Sequence, residues 1–349
     1  MIQSMENRLN KMSDFSFVTL LMFIAIIRIG PSPIGKPWVG WVYDAARAFP
    51  KSANYISYSP LPVLIAKLLG EPRVIIWWAI FSAILIAWFI LVMRRLKVLF
   101  PDNYRIFQII FAASQVITLQ ATFIGHYDNL SVIAASLVLF WDSRFIVYVA
   151  ALIAAGANPY MSFATGVCIL FLYLGTRVKR HLNIGIIFTL ISSAMLIFLH
   201  IFLTPPAGGT RESIVTNELG SVIKGAFGVW PFIFLGVLGP LWFTYLWVMA
   251  QEKSSFGNQN RIFTLFGTLL IPAGMSFFIL DHTRIGVVVG ALPLFLYLLP
   301  EIKYHLNSII TLPNLSIGIL IWVVYPAIIV DTAGIFRLPY AKFIELITH

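Results

Sequence analysis

The sequence has few of the residues that carry familiar soluble chemistry. Its single cysteine, Cys168, lies inside an apolar stretch, which excludes disulfides and cysteine metal sites. A Walker A loop, a dinucleotide-binding fingerprint, an HExxH helix and a Cys/His cluster are all missing, so ATP-driven transport, redox chemistry and zinc proteolysis lack support. Charged residues make up only 11% of the chain, and 14 residues are acidic. The position of each acid is therefore informative.

The sequence is instead strongly hydrophobic. Hydrophobic residues make up 59% of its 349 residues, and the mean hydropathy is +0.89. Runs such as VIIWWAIFSAILIAWFILVM are apolar on every face and long enough to cross about 30 Å of hydrocarbon, whereas a β-barrel needs short alternating segments. We therefore predict an all-α, polytopic transmembrane helical bundle of about 10–11 spans, forming a single integral membrane domain over residues 1–349.

The apolar runs give the positions of the predicted spans. The first run has no small-residue cleavage site after it, so we expect a retained signal anchor. The pieces between 130 and 175 are shorter than the usual length of about 20 residues. The predicted spans are 15–30, 74–93, 106–124, 130–141, 145–157, 160–175, 183–203, 227–250, 262–280, 285–300 and 308–330.

Lys and Arg are denser in the loops of one predicted side, which we assign to the cytoplasm. These loops account for much of the formal charge of +10, which indicates contact with anionic lipid headgroups and not nucleic-acid binding. Four acids lie beside Lys or Arg in these loops and are typical of solvated turns: Asp102, Asp142, Glu252 and Glu301.

Two predicted outer segments are longer than turns. Residues 31–72 are predicted to be a structured outer loop, in which VGWVYDAARAF and SPLPVLIAKLL have helical patterns and proline begins the second helix. Residues 204–226 are rich in Gly, Ser and Thr, and we expect a flexible outer loop there.

Asp44, Asp128 and Asp281 all lie beside predicted spans on the outer side. A carboxylate near hydrocarbon costs on the order of several kcal/mol unless it faces a wet cavity or a partner, so each is a functional candidate. Asp44 has Arg47 one turn later. The alternative to a functional Asp44 is a surface ion pair worth a few tenths of a kcal/mol.

GHYDNL at 125–130 predicts a tight polar turn. Gly125 permits the bend, while His126, Asp128 and Asn129 supply donors and acceptors. The structural alternative is that Asp128 or Asn129 caps a helix that starts at Leu130. Capping and catalysis are compatible roles.

LDHTRIG at 280–286 and NPYMS at 158–162 supply further polar candidates. The fork of donors on Arg284 suits phosphate, and a structural Asp281–Arg284 pair is the alternative. Asn158 marks an interrupted helix, which either lines a cavity or is a simple kink. No metal is required, although Asp128 and Asp281 could together hold a divalent cation.

The first loop, YDAARAFPKSANYISYSPLP, resembles that of the GT-C-type membrane glycosyltransferases, and GHYDNL resembles a Gly-x-x-Asp turn of some members. The resemblance covers roughly residues 15–175. LDHTRIG is similar to a late Asp-x-x-Arg turn of O-antigen-polymerase-like proteins. The chain departs from larger GT-C enzymes in having a single acid in its first-loop motif.

The resemblance implies transfer of a sugar or oligosaccharide from a polyprenyl-phosphate-linked donor to a glycan or lipid-linked acceptor. The site would lie on the outer face of a bacterial inner membrane, in surface-polysaccharide assembly, and would need no cofactor. Asp44 and Asp128 would be catalytic. The residues expected to bind phosphate or substrate are Arg284, His282, His126, Asp281, Arg47, Tyr58 and Asn158. A transporter or flippase of lipid-linked saccharides is the main alternative, and a non-catalytic scaffold is another.

Overall fold

The computed structural model describes residues 2–29, 37–51, 54–203, 211–277, 282–308, 315–325, 329–331 and 334–336. Helices account for most of this part, which confirms the predicted helical architecture. The first ten helices are α1 (Ile2–Lys11), α2 (Asp14–Ile29), α3 (Pro37–Ala48), α4 (Pro60–Leu68), α5 (Val74–Leu99), α6 (Tyr104–Ala113), α7 (Gln115–Thr122), α8 (Asp128–Phe140), α9 (Arg144–Ala157) and α10 (Pro159–Thr176). The others are α11 (Lys179–Phe202), α12 (Arg211–Leu238), α13 (Leu241–Ala250), α14 (Arg261–Leu265), α15 (Ile271–Met275), α16 (His282–Ser308) and α17 (Leu315–Val324). A π-helical turn, Phe266–Leu270, joins α14 to α15.

Within the described ranges, five helices are long and apolar enough to cross a membrane. They are Val74–Leu99, Pro159–Thr176, Lys179–Phe202, Gly220–Leu238 and Thr283–Leu306. The bent pair Ser4–Lys11 and Asp14–Arg28 would be a sixth span if it is counted as one. The chain is therefore a multi-pass, membrane-embedded helical bundle.

Helix α16 is the centre of the bundle. In an 18-residue apolar window within Thr283–Leu306, 94% of the residues are buried inside the protein, against 22% for the corresponding window of α5 and 28% for that of α11. It packs on α7, α8, α10, α12, α13 and α15, so it is surrounded by protein. Helices α5 and α11 instead expose apolar side chains such as Ile75 and Leu190, as lipid-facing helices do. Arg284, in the first turn of α16, therefore enters the interior.

Contacts between helix ends divide the bundle into two faces. One face contains the pairs Lys97–Asp14, Arg180–Asp142 at 3.2 Å and Ser255–Glu301 at 3.0 Å. The opposite face contains Trp77–Gly125 at 3.0 Å, Asn158–Asp128 at 2.9 Å and Arg28–Tyr325 at 2.7 Å. These two groups are the same ones that the predicted threading assigns to opposite sides of the membrane.

The two helices predicted in the first outer loop are confirmed as α3 and α4. Helix α3 packs with Val42 and Ala46 on a satellite core that includes Trp77 and Tyr127. The hydroxyl of Tyr43 donates to the Pro72 carbonyl. Burial, together with the nearby Glu71 carboxylate, raises the pKa of Tyr43, so this hydroxyl keeps its proton at neutral pH. These contacts hold the loop against the start of α5.

The predicted flexible loop at 204–226 is wrong from residue 211 onward, because α12 begins at Arg211. The helix-breaking prolines and glycines are concentrated at 205–209, and Val222 and Ala226 are buried on the helix. The predicted single span 227–250 is likewise interrupted at Gly239, whose positive φ of 57° ends α12. Composition averaged over a window hides such a sharp boundary.

The last predicted span, 308–330, is also wrong at its end. Its described helix stops at Val324, and Ile329–Asp331 then pairs antiparallel with Gly334–Phe336. Pro326 provides the physical reason, because the residue before a proline disfavours helical backbone. The apolar run continues past Pro326, so hydropathy alone did not indicate the change.

Glu301 is not the solvated turn acid that its basic neighbour suggested. It lies within α16, is 1% exposed, and accepts hydrogen bonds from the backbone and side chain of Ser255 at 3.1 and 3.0 Å. His305 lies one turn later with Nε2 3.2 Å from the carboxylate. Asp102, Asp142 and Glu252 are exposed, as predicted. Glu301 instead attaches the 251–260 loop to the central helix.

Candidate functional site

Four side chains from distant parts of the chain meet in what we term the buried cluster: His126, Asp128, Asn158 and Arg284. His126 lies in the turn before α8, Asp128 begins α8, Asn158 separates α9 from α10, and Arg284 lies in α16. Their exposed fractions are 3%, 1%, 2% and 9%, respectively. The sequence had named all four as candidates, and the structure places them in mutual contact.

The contacts of His126 determine which ring nitrogen carries its proton. Arg284 Nη1 lies 2.6 Å from His126 Nε2, and a guanidinium can only donate, so Nε2 must be the acceptor. We therefore assign the proton of a neutral ring to Nδ1, which lies 3.2 Å from Asp128 Oδ2. The backbone N–H of Asp128 is also aligned toward Nδ1 at 3.2 Å, so with the proton on Nδ1 two N–H groups face each other. Asp128 Oδ2 has no hydrogen-bond partner among the described residues, so the carboxylate acts on the His126 ring through its charge.

Arg284 and Asp128 form the charged pair of the cluster. Arg284 Nε lies 3.4 Å from Asp128 Oδ2, and the guanidinium lies over the Phe123 ring at 5.6 Å. Burying Arg284 requires an anion nearby. Among the described residues Asp128 fills this role, and Asp281, which the sequence offered, lies outside them. With His126 neutral, the three ionisable groups sum to zero charge.

The turn that presents His126 and Asp128 depends on two neighbours. Gly125 has a φ of 84°, and a Cβ there would lie 2.9 Å from the Trp77 indole, so only glycine fits without displacement. Trp77 Nε1 donates to the Gly125 carbonyl at 3.0 Å. Helix α8 starts at Asp128, two residues before the predicted Leu130, and neither Asp128 nor Asn129 is its N-cap. The capping alternative is therefore wrong.

Asn158 connects the helix break to the cluster. It caps α10 by accepting from the Met161 N–H at 3.5 Å, and its amide donates to Asp128 Oδ1 at 2.9 Å. Pro159 occupies the first turn of α10, where its missing N–H is tolerated. The predicted interruption is therefore confirmed, and its polar side chain points to the charged pair.

A second layer of amides adjoins the cluster. Asn129 Nδ2 donates to Gln120 Oε1, and both residues are at most 2% exposed. Among the described residues, Asn129 Oδ1 and Gln120 Nε2 find no hydrogen-bond partner. Sequence reasoning missed Gln120. An amide inside the apolar run VITLQATFI was the available signal, since a buried polar group there requires a partner.

Three predicted site residues lie apart from the cluster. Asp44 and Arg47 are 57% and 64% exposed, with Arg47 Nη1 3.6 Å from Asp44 and Arg47 Nε 2.6 Å from Glu71. This arrangement is the surface ion pair that the sequence left as the alternative for Asp44. Tyr58 is buried against His200, with ring centroids 5.3 Å apart. The structure does not bring these residues to Asp128.

Asp281 and the side chain of His282 lie outside the described residues, so the Asp281–Arg284 pair and the Asp128–Asp281 cation site are not tested. Within the described part, no three His, Cys, Asp or Glu side chains gather as metal ligands would. Comparison with protein-family models, curated proteins and solved structures finds no match to this chain.

Proposed function

We propose that the protein is an integral membrane glycosyltransferase that uses a polyprenyl-phosphate-linked sugar or oligosaccharide donor in cell-surface polysaccharide synthesis. The buried cluster is the observation that carries this proposal. A carboxylate, an imidazole, a guanidinium and an amide in mutual contact are expensive inside a membrane bundle, and such groups mark substrate or ion sites. The set contains a phosphate binder and a candidate base.

In the proposed reaction Arg284 binds the donor phosphate, for which its planar fork is suited. This releases His126 Nε2 from the guanidinium, and the nitrogen then accepts the proton of an acceptor hydroxyl. Asp128 stabilises the imidazolium that forms, as the aspartate of a catalytic triad does. Donor binding would thus activate the base.

The bonds change at the anomeric carbon of the donor. The acceptor oxygen forms a bond to that carbon as the bond from the carbon to the phosphate oxygen breaks, and the electron pair leaves with the phosphate. Arg284 neutralises the leaving charge in a low-dielectric interior. Asn158 holds Asp128 through the 2.9 Å hydrogen bond and so positions the base. Asp44 takes no part in this scheme because it is exposed and paired with Arg47.

We further propose eleven membrane crossings with the cluster at the outer face of a bacterial inner membrane. The alternating contacts between helix ends support the threading, because each pair joins ends that eleven crossings would place on one side. The density of Lys and Arg supports the cytoplasmic assignment of the opposite face. Labelling of single cysteines at the exposed positions Lys51 and Lys253 from outside intact cells tests this orientation. We expect reaction at position 51 only.

The catalytic proposal is tested with the full chain in lipid nanodiscs. A panel of radiolabelled polyprenyl-phosphate sugars is supplied with candidate acceptors, and sugar transfer is followed. Loss of a general base lowers rates by about 10²–10⁴-fold, so His126→Gln should lower transfer by at least about 100-fold. Arg47→Gln is the control, since Arg47 is an exposed arginine outside the cluster. Equal transfer by the wild type and His126→Gln would refute the assigned role.

A transporter or flippase of lipid-linked saccharides is the second candidate. The interrupted helix at Asn158, in direct contact with a buried Asp128, is the observation that favours it, because broken helices form binding sites in transporters. Proteoliposomes containing a fluorescent lipid-linked saccharide distinguish the two. Movement of intact substrate between leaflets without cleavage of the sugar–phosphate bond would favour the flippase.

A further inference from the structure

A cavity lies between three helices of the bundle. It has a volume of about 460 Å³ and is lined by α2, α5 and α7, with Ala25, Leu85, Phe89 and Ile117 among its apolar walls. This volume is within the roughly 300–1,000 Å³ of small-molecule pockets. Helices α2 and α5 both pack on α6 but make little direct contact with each other. The gap between them is termed here the lateral groove.

Three residues that line the lateral groove carry hydrogen-bond donors without an acceptor. Trp78, Ser82 and Gln120 line it, and Trp78 Nε1, Ser82 Oγ and Gln120 Nε2 have no hydrogen-bond partner among the residues that the structure describes. An unsatisfied buried polar group costs about 1–3 kcal/mol, so three in one wall indicate a missing acceptor. In the described part of the chain, the lining of the groove contains no Lys, Arg or His.

These donors lie at one end of the groove. Trp78 and Ser82 are one turn apart on α5, and the bond from Trp77 to Gly125 fixes this end of α5 beside the end of α7. Gln120 lies on α7 near that end. The other end is lined by Leu85, Phe89 and Ile117. The single polar atom of Trp88 is already bonded to Ser136 at 2.7 Å. The lateral groove is therefore amphiphilic along its length.

We propose that the lateral groove binds one acyl chain of an ester-linked bilayer lipid, with the ester carbonyl at the Trp78–Ser82–Gln120 end. A carbonyl oxygen is a neutral acceptor and suits neutral donors, whereas a phosphate is expected to need cationic partners. The hydrocarbon chain then lies along Leu85, Phe89 and Ile117. This site does not depend on glycosyl transfer at the buried cluster, and it is measured without any activity assay.

Photocrosslinking of the full chain in nanodiscs tests the site. The probes are a diester phospholipid and its diether analogue, each with a diazirine on one chain, and mass spectrometry locates the adducts. We expect the diester lipid to label α7 at Ile117 or Ala121, and the diether lipid, which lacks the carbonyl, to label them less. Each lost hydrogen bond should reduce labelling roughly two- to tenfold. The double variant Trp78→Phe/Ser82→Ala should lower diester labelling to the diether level.

A volume substitution provides the matched control. Ala121→Phe places a ring in the lateral groove, whereas Ala83→Phe places the same ring on the exposed side of α5. We expect Ala121→Phe to abolish the α7 adducts and Ala83→Phe to leave them unchanged, with equal labelling of exposed Ile84 in both proteins. Equal labelling of α7 by diester and diether lipids would overturn the assignment. Displacement of the bound diester by equimolar polyprenyl phosphate would also overturn it and assign the groove to a prenyl chain.

Discussion

The variant Asp128→Asn should destabilise the protein while leaving its shape almost unchanged. It keeps the side-chain volume and one oxygen but removes the only described carboxylate near Arg284. With an effective dielectric of about 20, unit charges at the observed 3.4 Å attract by about 5 kcal/mol. Breaking a buried pair from one side costs about 3–5 kcal/mol because the other charge remains buried. We therefore expect a loss of about 3–5 kcal/mol.

The double variant Asp128→Asn/Arg284→Met makes the test specific. Replacing both members of a buried pair is often neutral, so the double variant should recover most of the stability that each single variant loses. Thermal unfolding in one detergent, followed by tryptophan fluorescence, gives the four midpoints of the cycle. Losses that simply add, or an Asp128→Asn protein as stable as the wild type, would refute the ion pair as a stabilising unit.

Three further variants test other parts of the structure by unfolding or proteolysis. Gly125→Ala should cost about 2–4 kcal/mol, because its φ is positive and the new Cβ would lie 2.9 Å from Trp77. The control Gly40→Ala has open space around its Cβ and should not destabilise the protein. Equal unfolding midpoints for the two variants would argue against the turn. Glu301→Gln should cost about 1–3 kcal/mol and speed protease cleavage within 251–260, because two serines lose a charged acceptor. Unchanged cleavage would contradict the attachment of this loop to α16 through Glu301. Asp44→Asn should shift stability by only a few tenths of a kcal/mol, since its pair is exposed, and a large shift would reveal a partner that the structure does not show.

The sequence predicted the features that depend on local chemistry. Apolar runs located the helices, proline at position 60 marked the start of α4, and Asn158–Pro159 marked the break before α10. Rare polar residues beside apolar runs identified Asp128, His126 and Arg284 as site candidates. A charged side chain in the hydrocarbon layer needs a partner or water in any fold. Its functional importance can therefore be predicted before its partner is known.

The partners themselves could not be predicted, because they depend on packing between distant helices. Asp281 lies three residues from Arg284 and was the counter-ion that the sequence offered, whereas the contact with Asp128, 156 positions away in sequence, was not predicted. Glu301 was misread for the same reason: Lys303 lies nearby in sequence, but the carboxylate turns inward to Ser255. The helix breaks at Ser114 and Gly239 leave the hydropathy of the surrounding sequence almost unchanged, so a hydropathy average could not locate them.

The charges of the buried cluster also explain how such a site could work inside a membrane. Asp128 and neutral His126 with Arg284 sum to zero, which limits the desolvation penalty at rest. In the proposed reaction, a bound donor phosphate adds negative charge to this interior. Transfer of the acceptor proton to His126 places a positive charge beside Asp128 as the phosphate takes up its electron pair. The neutral resting state returns only when both the proton and the phosphate have left.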